Sequence, residues 1–292
     1  IIIKVYFNTL NRQCQFNSEY YIIFFKRSYF LKDYHLQICM FFLKVWYNLS
    51  KLKCMKGSRH MKQIIALGGG GFSTEPENPL LDLYILNQSG KINPKVCYVP
   101  TASGDSDICI KWFYDFFVKQ KCQPSHLSLF KPPTKDLEGF LLEKDIIYVG
   151  GGNTKNLLAL WKEWGLDVIM RKAWEQGIVL AGISAGSICW FEEGVTDSYG
   201  DKLEPLTCLG FLKGSNCPHY DGEADRRSSY QKFIASNKMK PGIAADDGVA
   251  IHYIGQEISK IVSSRPNAKA YKVYYDKKVK EIELETEYLN IR

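Results

Sequence analysis

Residues 178–187 read Ile-Val-Leu-Ala-Gly-Ile-Ser-Ala-Gly-Ser, an apolar run that enters a Gly-x-Ser-x-Gly turn. The apolar run predicts a buried strand, and the residues after the turn can begin a helix. A serine on a sharp turn between a strand and a helix is typical of a nucleophile elbow. The first N–H groups of the following helix point to the place where an oxyanion would form. Ser184 is therefore the candidate nucleophile, although a plain strand-to-helix turn that contains a serine is the alternative interpretation.

Short apolar strands alternate with helical patterns from Met61 onward. Strands are predicted at Gln63–Leu67, Val96–Val99, His126–Phe130 and Asp145–Val149, ahead of the strand that leads into Ser184. This alternation predicts an α/β fold with a mostly parallel sheet that is covered on both faces. Four further strand patterns follow and predict an antiparallel C-terminal extension: Gly242–Ile254, Ile258–Val262, Tyr271–Tyr275 and Val279–Glu285.

The first 60 residues differ from the rest of the 292-residue chain in charge. They hold ten Lys and Arg against Glu19 and Asp33, whereas the remainder holds 28 basic and 29 acidic residues. No basic face is therefore expected on the folded part, which argues against a nucleic-acid partner. Residues 57–61 look like a cloning scar before a start methionine, so residues 1–60 are expected to be a non-native or disordered leader and residues 61–292 a single domain. The alternative is a basic, aromatic arm that binds a membrane surface.

Nine cysteines are scattered along the chain without a C-x-x-C pair or a Cys/His cluster. This usage predicts reduced thiols in a cytoplasmic protein and no metal site. The longest apolar runs of the first 60 residues are much shorter than the roughly 20 residues that span a bilayer, so no membrane partner is expected.

Two glycine-rich segments follow predicted strands, at Gly68–Gly71 and Gly150–Gly152. Neither matches the phosphate-binding patterns of mononucleotide or dinucleotide sites. Ligands of open α/β sheets bind at the carboxyl ends of the strands, so both segments are expected to line the same cleft as Ser184. A nucleotide site is the less favoured alternative.

A serine nucleophile needs a base, and three histidines follow Met61. His126 and His252 lie within strand patterns and are expected to be packed or edge residues. His219 lies in Asn-Cys-Pro-His-Tyr-Asp-Gly, where proline and glycine predict a loop. A loop histidine after the elbow is the favoured general base.

The acid that orients this histidine is sought between the serine and the histidine. Asp197 lies in a turn-like stretch after the elbow helix and is the favoured candidate, with Glu193 as the second choice. The resulting order of serine, acid and histidine also occurs in α/β-hydrolases. The separation of only 35 residues between Ser184 and His219 argues against that fold.

Three segments together resemble the peptidase E family of serine peptidases: Gly150–Thr154, Gly182–Gly186 and Asn216–Tyr220. This family contains α-aspartyl dipeptidase and, more distantly, cyanophycinase, and the resemblance extends from Met61 to the C-terminus. It implies a three-layer α/β/α sandwich similar to class I glutamine amidotransferases, with serine in place of their cysteine. It also implies a cytoplasmic, homodimeric exopeptidase that needs no metal or cofactor and prefers an N-terminal aspartate.

The resemblance also implies roles for individual residues. Ser184 matches the nucleophile and His219 the base, while Gly151 and Ala185 match the backbone donors of the oxyanion hole. Asp197 most nearly matches the acid, although its spacing from the serine is slightly short.

Substrate contacts are implied in the same way. Arg226 falls near the arginine that holds the aspartate side chain of the substrate, with Arg227 as its rival, and Asn153 is a further substrate-binding candidate. A guanidinium suits this role because it binds a carboxylate through two parallel hydrogen bonds.

The expected function is hydrolysis of dipeptides or short peptides with an N-terminal Asp through an acyl-enzyme on Ser184, with a small peptide as the partner. One alternative is a cyanophycinase-like hydrolase that acts on β-linked Asp–Arg peptides. The other is an amidotransferase-like module that binds a ligand or partner without catalysis.

Overall fold

The computed structural model describes residues 2–4, 21–23, 61–200 and 202–290. The chain divides into two compact units, Ile1–Lys56 and Gly57–Arg292. In the first unit, strands β1 (Ile2–Lys4) and β2 (Tyr21–Ile23) pair in antiparallel fashion. The prediction of a non-native leader at residues 1–60 falls almost wholly outside the described residues.

The second unit consists of strands, seven α-helices within the described residues and a 3₁₀-helix at Thr101–Ser103. The helices are α1 (Leu80–Gln88), α2 (Asp107–Phe117), α3 (Leu137–Leu142), α4 (Thr154–Trp164), α5 (Leu166–Glu175), α6 (Ala185–Ile188) and α7 (Arg226–Ala235). The strands are β3 (Gln63–Leu67), β4 (Lys95–Val99), β5 (Gln123–His126), β6 (Ile146–Val149), β7 (Val179–Ile183), β8 (Phe191–Thr196), β9 (Glu204–Thr207), β10 (Leu212–Cys217), β11 (Gly242–Ala245), β12 (Val249–Ile254), β13 (Glu257–Ser263), β14 (Ala270–Asp276), β15 (Lys278–Leu284) and β16 (Glu287–Tyr288).

The larger sheet has eight strands in the order β16-β13-β12-β3-β7-β6-β4-β5. The five strands from β3 to β5 pair in parallel throughout. Beyond β3, strands β12 and β13 continue the sheet with antiparallel pairs, and β16 joins β13 in parallel. These pairings confirm the predicted α/β class with its largely parallel run of strands.

A second sheet of six strands has the order β15-β14-β11-β10-β8-β9. Its middle strands β8, β10 and β11 are parallel. The outer pairs β8–β9, β11–β14 and β14–β15 are antiparallel. The prediction of one antiparallel C-terminal extension is therefore wrong, because the C-terminal strands divide between two sheets.

The predicted strand Gly242–Ile254 is likewise two strands, β11 in the smaller sheet and β12 in the larger one. The chain turns between them at residues 246–248. Gly248 has a φ of +81°, which glycine adopts without strain. Oδ2 of the buried Asp246 accepts a hydrogen bond from the N–H of Lys269 at 2.9 Å. This bond fixes the turn to the residue that precedes β14.

Side chains of the larger sheet alternate between two cores. Along β3, Ile64 belongs to one apolar cluster and Ile65 to the other. Helices α3, α4 and α5 contribute to the first cluster, for example through Trp161. Helices α1 and α2 contribute to the second, for example through Phe113. Both faces of the sheet are thus covered, which explains why its strands are apolar at nearly every position.

Of the two histidines predicted to be packed or edge residues, His252 is packed and His126 lies on the edge strand β5. His252 on β12 is buried, with Nδ1 2.8 Å from the Tyr84 hydroxyl and Nε2 3.0 Å from Gln63 Oε1. Burial lowers the pKa of His252 to about 4. His126 on β5 is half-buried and lies 2.9 Å from the Tyr114 hydroxyl.

Asp82 on α1 is fully buried beneath the loop that follows β3. Neither of its carboxylate oxygens has a hydrogen-bond partner among the described residues. Burial raises the pKa of Asp82 to about 7, against the opposing influence of the nearby Phe72 N–H and Tyr148 hydroxyl. The ionised form of this side chain therefore disfavours the folded state.

We expect Asp82→Asn to stabilise the protein more at pH 8 than at pH 5. In the unfolded chain the pKa of an aspartate is about 3.9. Between pH 3.9 and 7 the carboxyl of Asp82 is therefore protonated in the folded state and ionised in the unfolded state. The free energy of unfolding of the wild type therefore falls as the pH rises through this window, whereas asparagine does not titrate. The gain from the substitution should grow by roughly 3 kcal/mol between pH 5 and pH 8.

Urea unfolding of both proteins at the two pH values measures this gain. Asp276→Asn removes an exposed carboxyl at the end of β14 and is the matched control, for which no such growth is expected. A gain from Asp82→Asn that is independent of pH would contradict the interpretation.

Candidate active site

Ser184 lies on the turn between β7 and α6 in a conformation that non-glycine residues rarely adopt. Its φ is +55° and its ψ is −114°. Backbone strain of this kind costs about 1–3 kcal/mol and is characteristic of functional sites. A Cβ on Gly182 would collide with the carbonyl oxygen of Gly186, and one on Gly186 with that of Val149. Close packing therefore requires both glycines of the Gly-x-Ser-x-Gly segment, and the predicted strand–turn–helix geometry is confirmed.

The end of β3 holds Ser184 and His219 side by side. The carbonyl oxygen of Leu67 accepts the N–H of Ser184 at 3.4 Å, and that of the next residue, Gly68, accepts the N–H of His219 at 3.0 Å. His219 also has a positive φ, of +54°. Within the described residues the His219 ring is hydrogen-bonded to Asp247 and not to the Ser184 hydroxyl. Catalytic hydrogen bonds of this kind often form fully only when the substrate binds.

Asp247 is the acid that contacts His219. Its Oδ1 lies 2.6 Å from His219 Nδ1, and its own N–H donates to Asp221 Oδ1 at 2.8 Å. Burial alone would raise the pKa of Asp247, but the hydrogen bond from His219 and the positive charges of His219, Arg265 and Arg226 lower it overall. An ionised carboxylate at Nδ1 keeps the ring proton on that nitrogen and leaves Nε2 free to accept another.

The prediction that Asp197 orients His219 is therefore wrong, and so is the second choice, Glu193. Glu193 Oε2 accepts the N–H of Lys240 at 2.8 Å, on the smaller sheet. The signal for Asp247 was present as Asp-Asp-Gly between two apolar runs, which predicts a turn rather than a continuous strand.

The glycines after β3 make room for the acid–base pair. A Cβ on Gly69 would overlap Asp247 Oδ1 and would stand 3.1 Å from His219 Nδ1. A Cβ on Gly68 would overlap the carbonyl oxygen of Asp246. Gly68 and Gly69 therefore border the turn that holds Asp247, whereas a Cβ on Gly71 would face the buried Asp82 and the Tyr148 hydroxyl.

Both predicted oxyanion-hole residues lie beside Ser184. A Cβ on Gly151 would stand 3.3 Å from Ser184 Cβ, so its backbone approaches the serine closely. Ala185 follows Ser184 directly and is the first residue of α6. Backbone N–H groups at such positions are the usual donors to an oxyanion.

A polar cavity of about 340 Å³ opens over Ser184. Asn153, Asp197, Glu223 and Arg226 line it. Of the two candidate arginines, Arg226 is thus the one that reaches the cavity.

Arg227 has other partners. Its guanidinium pairs with Glu281 and lies 5.1 Å from the ring centres of both Tyr220 and Tyr271. Its role is therefore to connect α7 with the smaller sheet.

The predicted substrate-binding residue Asn153 has structural partners as well. It caps α4, with Oδ1 accepting the N–H of Asn156 at 2.8 Å, and its Nδ2 donates to the carbonyl of Ser198 at 3.1 Å. These bonds fix the edge of the cavity and leave one amide proton of Asn153 for a ligand.

Other kinds of site were sought in the described part of the chain. Across residues 61–200 and 202–290, no three His, Cys, Asp or Glu side chains are grouped so as to hold a metal ion. Nor does that part contain a helix of sufficient length and apolarity to cross a membrane.

Comparison with known proteins identifies the family. The model of peptidase family S51 matches residues 64–261, which is more than half of the chain. The chain belongs to peptidase family S51. This match confirms the resemblance noted in the sequence, and an S51 member is a serine-type peptidase.

Two relatives agree with this assignment. This S51 peptidase is 60% identical over 230 residues to the uncharacterized peptidase YgaJ of Bacillus subtilis (strain 168). The aligned region covers 78% of this chain and 100% of the relative. This chain is also 28% identical over 221 residues to a probable alpha-aspartyl dipeptidase of Drosophila melanogaster. That aligned region covers 70% of this chain and 86% of the relative.

Solved structures share the fold. A putative peptidase E protein from Listeria monocytogenes EGD-e superposes with a TM-score of 0.52 at 19% identity, over 68% of this chain and 96% of that one. A peptidase from an acI-B1 Actinobacterium superposes with a TM-score of 0.56 at 16% identity, over 78% and 96%.

Proposed function

We propose that this S51 peptidase hydrolyses dipeptides or short peptides with an N-terminal aspartate through an acyl-enzyme on Ser184. The observation that carries the proposal is the polar cavity over Ser184 that also contains the buried Arg226. The relative described as a probable alpha-aspartyl dipeptidase supports the same choice of substrate.

The proposed reaction begins with attack of Ser184 Oγ on the carbonyl carbon of the N-terminal residue. His219 Nε2 accepts the hydroxyl proton, and the ionised Asp247 stabilises the imidazolium that forms. The N–H groups of Gly151 and Ala185 donate to the oxyanion, a contribution of about 3 kcal/mol per donor. His219 then protonates the leaving amine, and water attacks the acyl-enzyme with His219 again as the base.

The charges of the cavity suit a zwitterionic N-terminal aspartate. Arg226 Nε and Nη2 donate to Glu223 and Nη1 donates to the carbonyl of Val195, so two of its five N–H groups remain for the substrate carboxylate. Asp197 makes no ion pair or side-chain hydrogen bond within residues 61–200 and 202–290. We assign the Asp197 carboxylate to the α-ammonium of the substrate, which would restrict cleavage to free N-termini.

Two broader expectations belong to the same proposal. Helices on both faces of the larger sheet support the three-layer, amidotransferase-like architecture. Free thiols at Cys97, Cys189 and Cys217, all buried, support a reducing and therefore cytoplasmic setting.

Hydrolysis of Asp-p-nitroanilide beside its Glu, Asn, Leu and Arg counterparts tests the specificity. We expect the Asp substrate to be preferred, and Arg226→Lys to lower its kcat/KM roughly 10- to 100-fold, because a lysine keeps the charge but loses the paired hydrogen bonds. Cleavage of any neutral substrate should change little. Arg227→Lys, the same substitution one residue later on α7, is the matched control and should resemble the wild type.

Other outcomes would redirect the proposal. An equal loss on every substrate in Arg226→Lys would mean that the arginine is structural. Cleavage of a β-linked Asp–Arg dipeptide with the Asp anilide left intact would favour the cyanophycinase-like alternative. Silence on all substrates, with no labelling of Ser184 by a covalent serine probe, would favour a binding module.

A further inference from the structure

The carboxylate of Glu223 accepts two hydrogen bonds from Arg226. Arg226 Nε donates to Glu223 Oε2 at 2.9 Å, and Nη2 donates to the same oxygen at 2.6 Å. This is one of the two sides through which a guanidinium can bind a carboxylate. Glu223 therefore mimics the ligand that the cavity is proposed to bind.

The side chains of Arg226 and Glu223 differ sharply in solvent exposure and therefore in conformational freedom. The Arg226 side chain is 3% exposed, and its Nη1 is fixed by the carbonyl of Val195 on β8 at 3.1 Å. The Glu223 side chain is 46% exposed and lies in the turn between His219 and α7. The arginine is thus held in place, whereas the glutamate can return its carboxylate to water at little cost.

An incoming acidic side chain therefore meets an occupied guanidinium. Its carboxylate has to share Arg226 with Glu223, through the two N–H groups that remain, or replace Glu223 on the Nε side, and either way the two carboxylates compete for one positive charge. A neutral side chain leaves the pair undisturbed. The competition lowers the advantage of aspartate over a neutral residue below what an arginine without Glu223 would provide.

We propose that Glu223 is an internal competitor for Arg226 and so limits the selectivity of the enzyme for an acidic N-terminal residue. The inference rests on the proposed function, because it takes Arg226 as the site of the substrate carboxylate. It assigns Glu223 a specificity role without a part in the chemical step.

Titration calorimetry in a Ser184→Ala background measures binding without turnover. Adding Glu223→Gln should lower the Kd for the dipeptide Asp-Leu about threefold to tenfold, because the competing charge is removed. The Kd for Asn-Leu should stay unchanged. Glu223→Ala should act in the same direction. With Ser184 intact, Glu223→Gln should raise kcat/KM for Asp-p-nitroanilide by a similar factor.

Asp225→Asn is the matched control. It removes the same charge from the same turn, and its side chain is exposed and makes no cap hydrogen bond to α7. A comparable gain in Asp225→Asn would mean a general effect of charge and would overturn the role of Glu223.

The remaining outcomes are equally decisive. Unchanged or weaker binding of Asp-Leu in Glu223→Gln overturns the inference and leaves the proposed substrate standing. Weaker binding of both dipeptides would identify Glu223 as a ligand of the α-ammonium, which also overturns it. Absence of Asp-Leu binding both in Ser184→Ala and in Ser184→Ala with Glu223→Gln would overturn the inference and the proposed substrate together.

Discussion

Ser184→Ala should lower kcat for Asp-p-nitroanilide roughly 10⁵- to 10⁶-fold. The substitution removes the atom that forms the acyl-enzyme, so the covalent route is lost and only the surrounding donors remain to assist a direct attack by water. The strained turn keeps its flanking glycines, so the variant should fold like the wild type. Rate measurements and labelling with a fluorophosphonate probe should both report the loss.

Ser187→Ala is the control for this experiment. Ser187 lies three residues further along, in α6, and its buried hydroxyl donates to Asn216 Oδ1 at 3.4 Å. Its loss should leave kcat and probe labelling close to those of the wild type. Normal turnover in Ser184→Ala would refute the acyl-enzyme mechanism altogether.

Asp247→Asn should lower kcat about 10⁴-fold with little change in KM. An asparagine amide has nearly the same shape, but it can donate to His219 Nδ1 and so favours the wrong ring tautomer. It also removes the negative charge that stabilises the imidazolium. Steady-state kinetics with Asp-p-nitroanilide measure both parameters, and far-ultraviolet circular dichroism checks the fold.

Asp197→Asn is the informative comparison. Because Asp197 lines the cavity and is proposed to bind the α-ammonium, its substitution should raise KM while kcat stays close to that of the wild type. A large loss of kcat in Asp197→Asn, together with a nearly normal Asp247→Asn, would restore Asp197 as the orienting acid.

The contrast between these acids shows what local sequence can reveal. The elbow was predictable because its strand, glycines and serine lie within ten residues, although the requirement for glycine at 186 comes from contact with Val149 on β6. His219 was predictable because proline and glycine identify its loop. Asp247 follows His219 by 28 residues and meets it only because the chain crosses from one sheet to the other. No periodicity within a short window reports such a meeting.

The division of the C-terminal strands had the same cause. The sequences of β11 and β12 are both apolar, and neither sequence indicates the strand with which it pairs. β12 pairs with β3 through contacts between segments almost 190 residues apart, while β11 pairs with β10. Strand existence was therefore predictable, and sheet membership was not. The resemblance to the peptidase E family selected Arg226 as a substrate-binding candidate, but its pairing with Glu223 depends on side-chain burial that the sequence leaves open.

Ser184 and His219 are held by the carbonyls of two consecutive residues, Leu67 at the end of β3 and Gly68 directly after it, and this has a mechanical consequence. Any displacement of that strand carries the nucleophile and the base together, so the spacing between them is insulated from motion elsewhere in the molecule. The turn that carries Asp247 is tied to the same segment, because the N–H of Gly248 donates to the carbonyl oxygen of Gly69 at 3.1 Å. Displacement of residues 67–69 would therefore move the nucleophile, the base and the acid together, so the packing of this short segment is where distant changes can tune the rate.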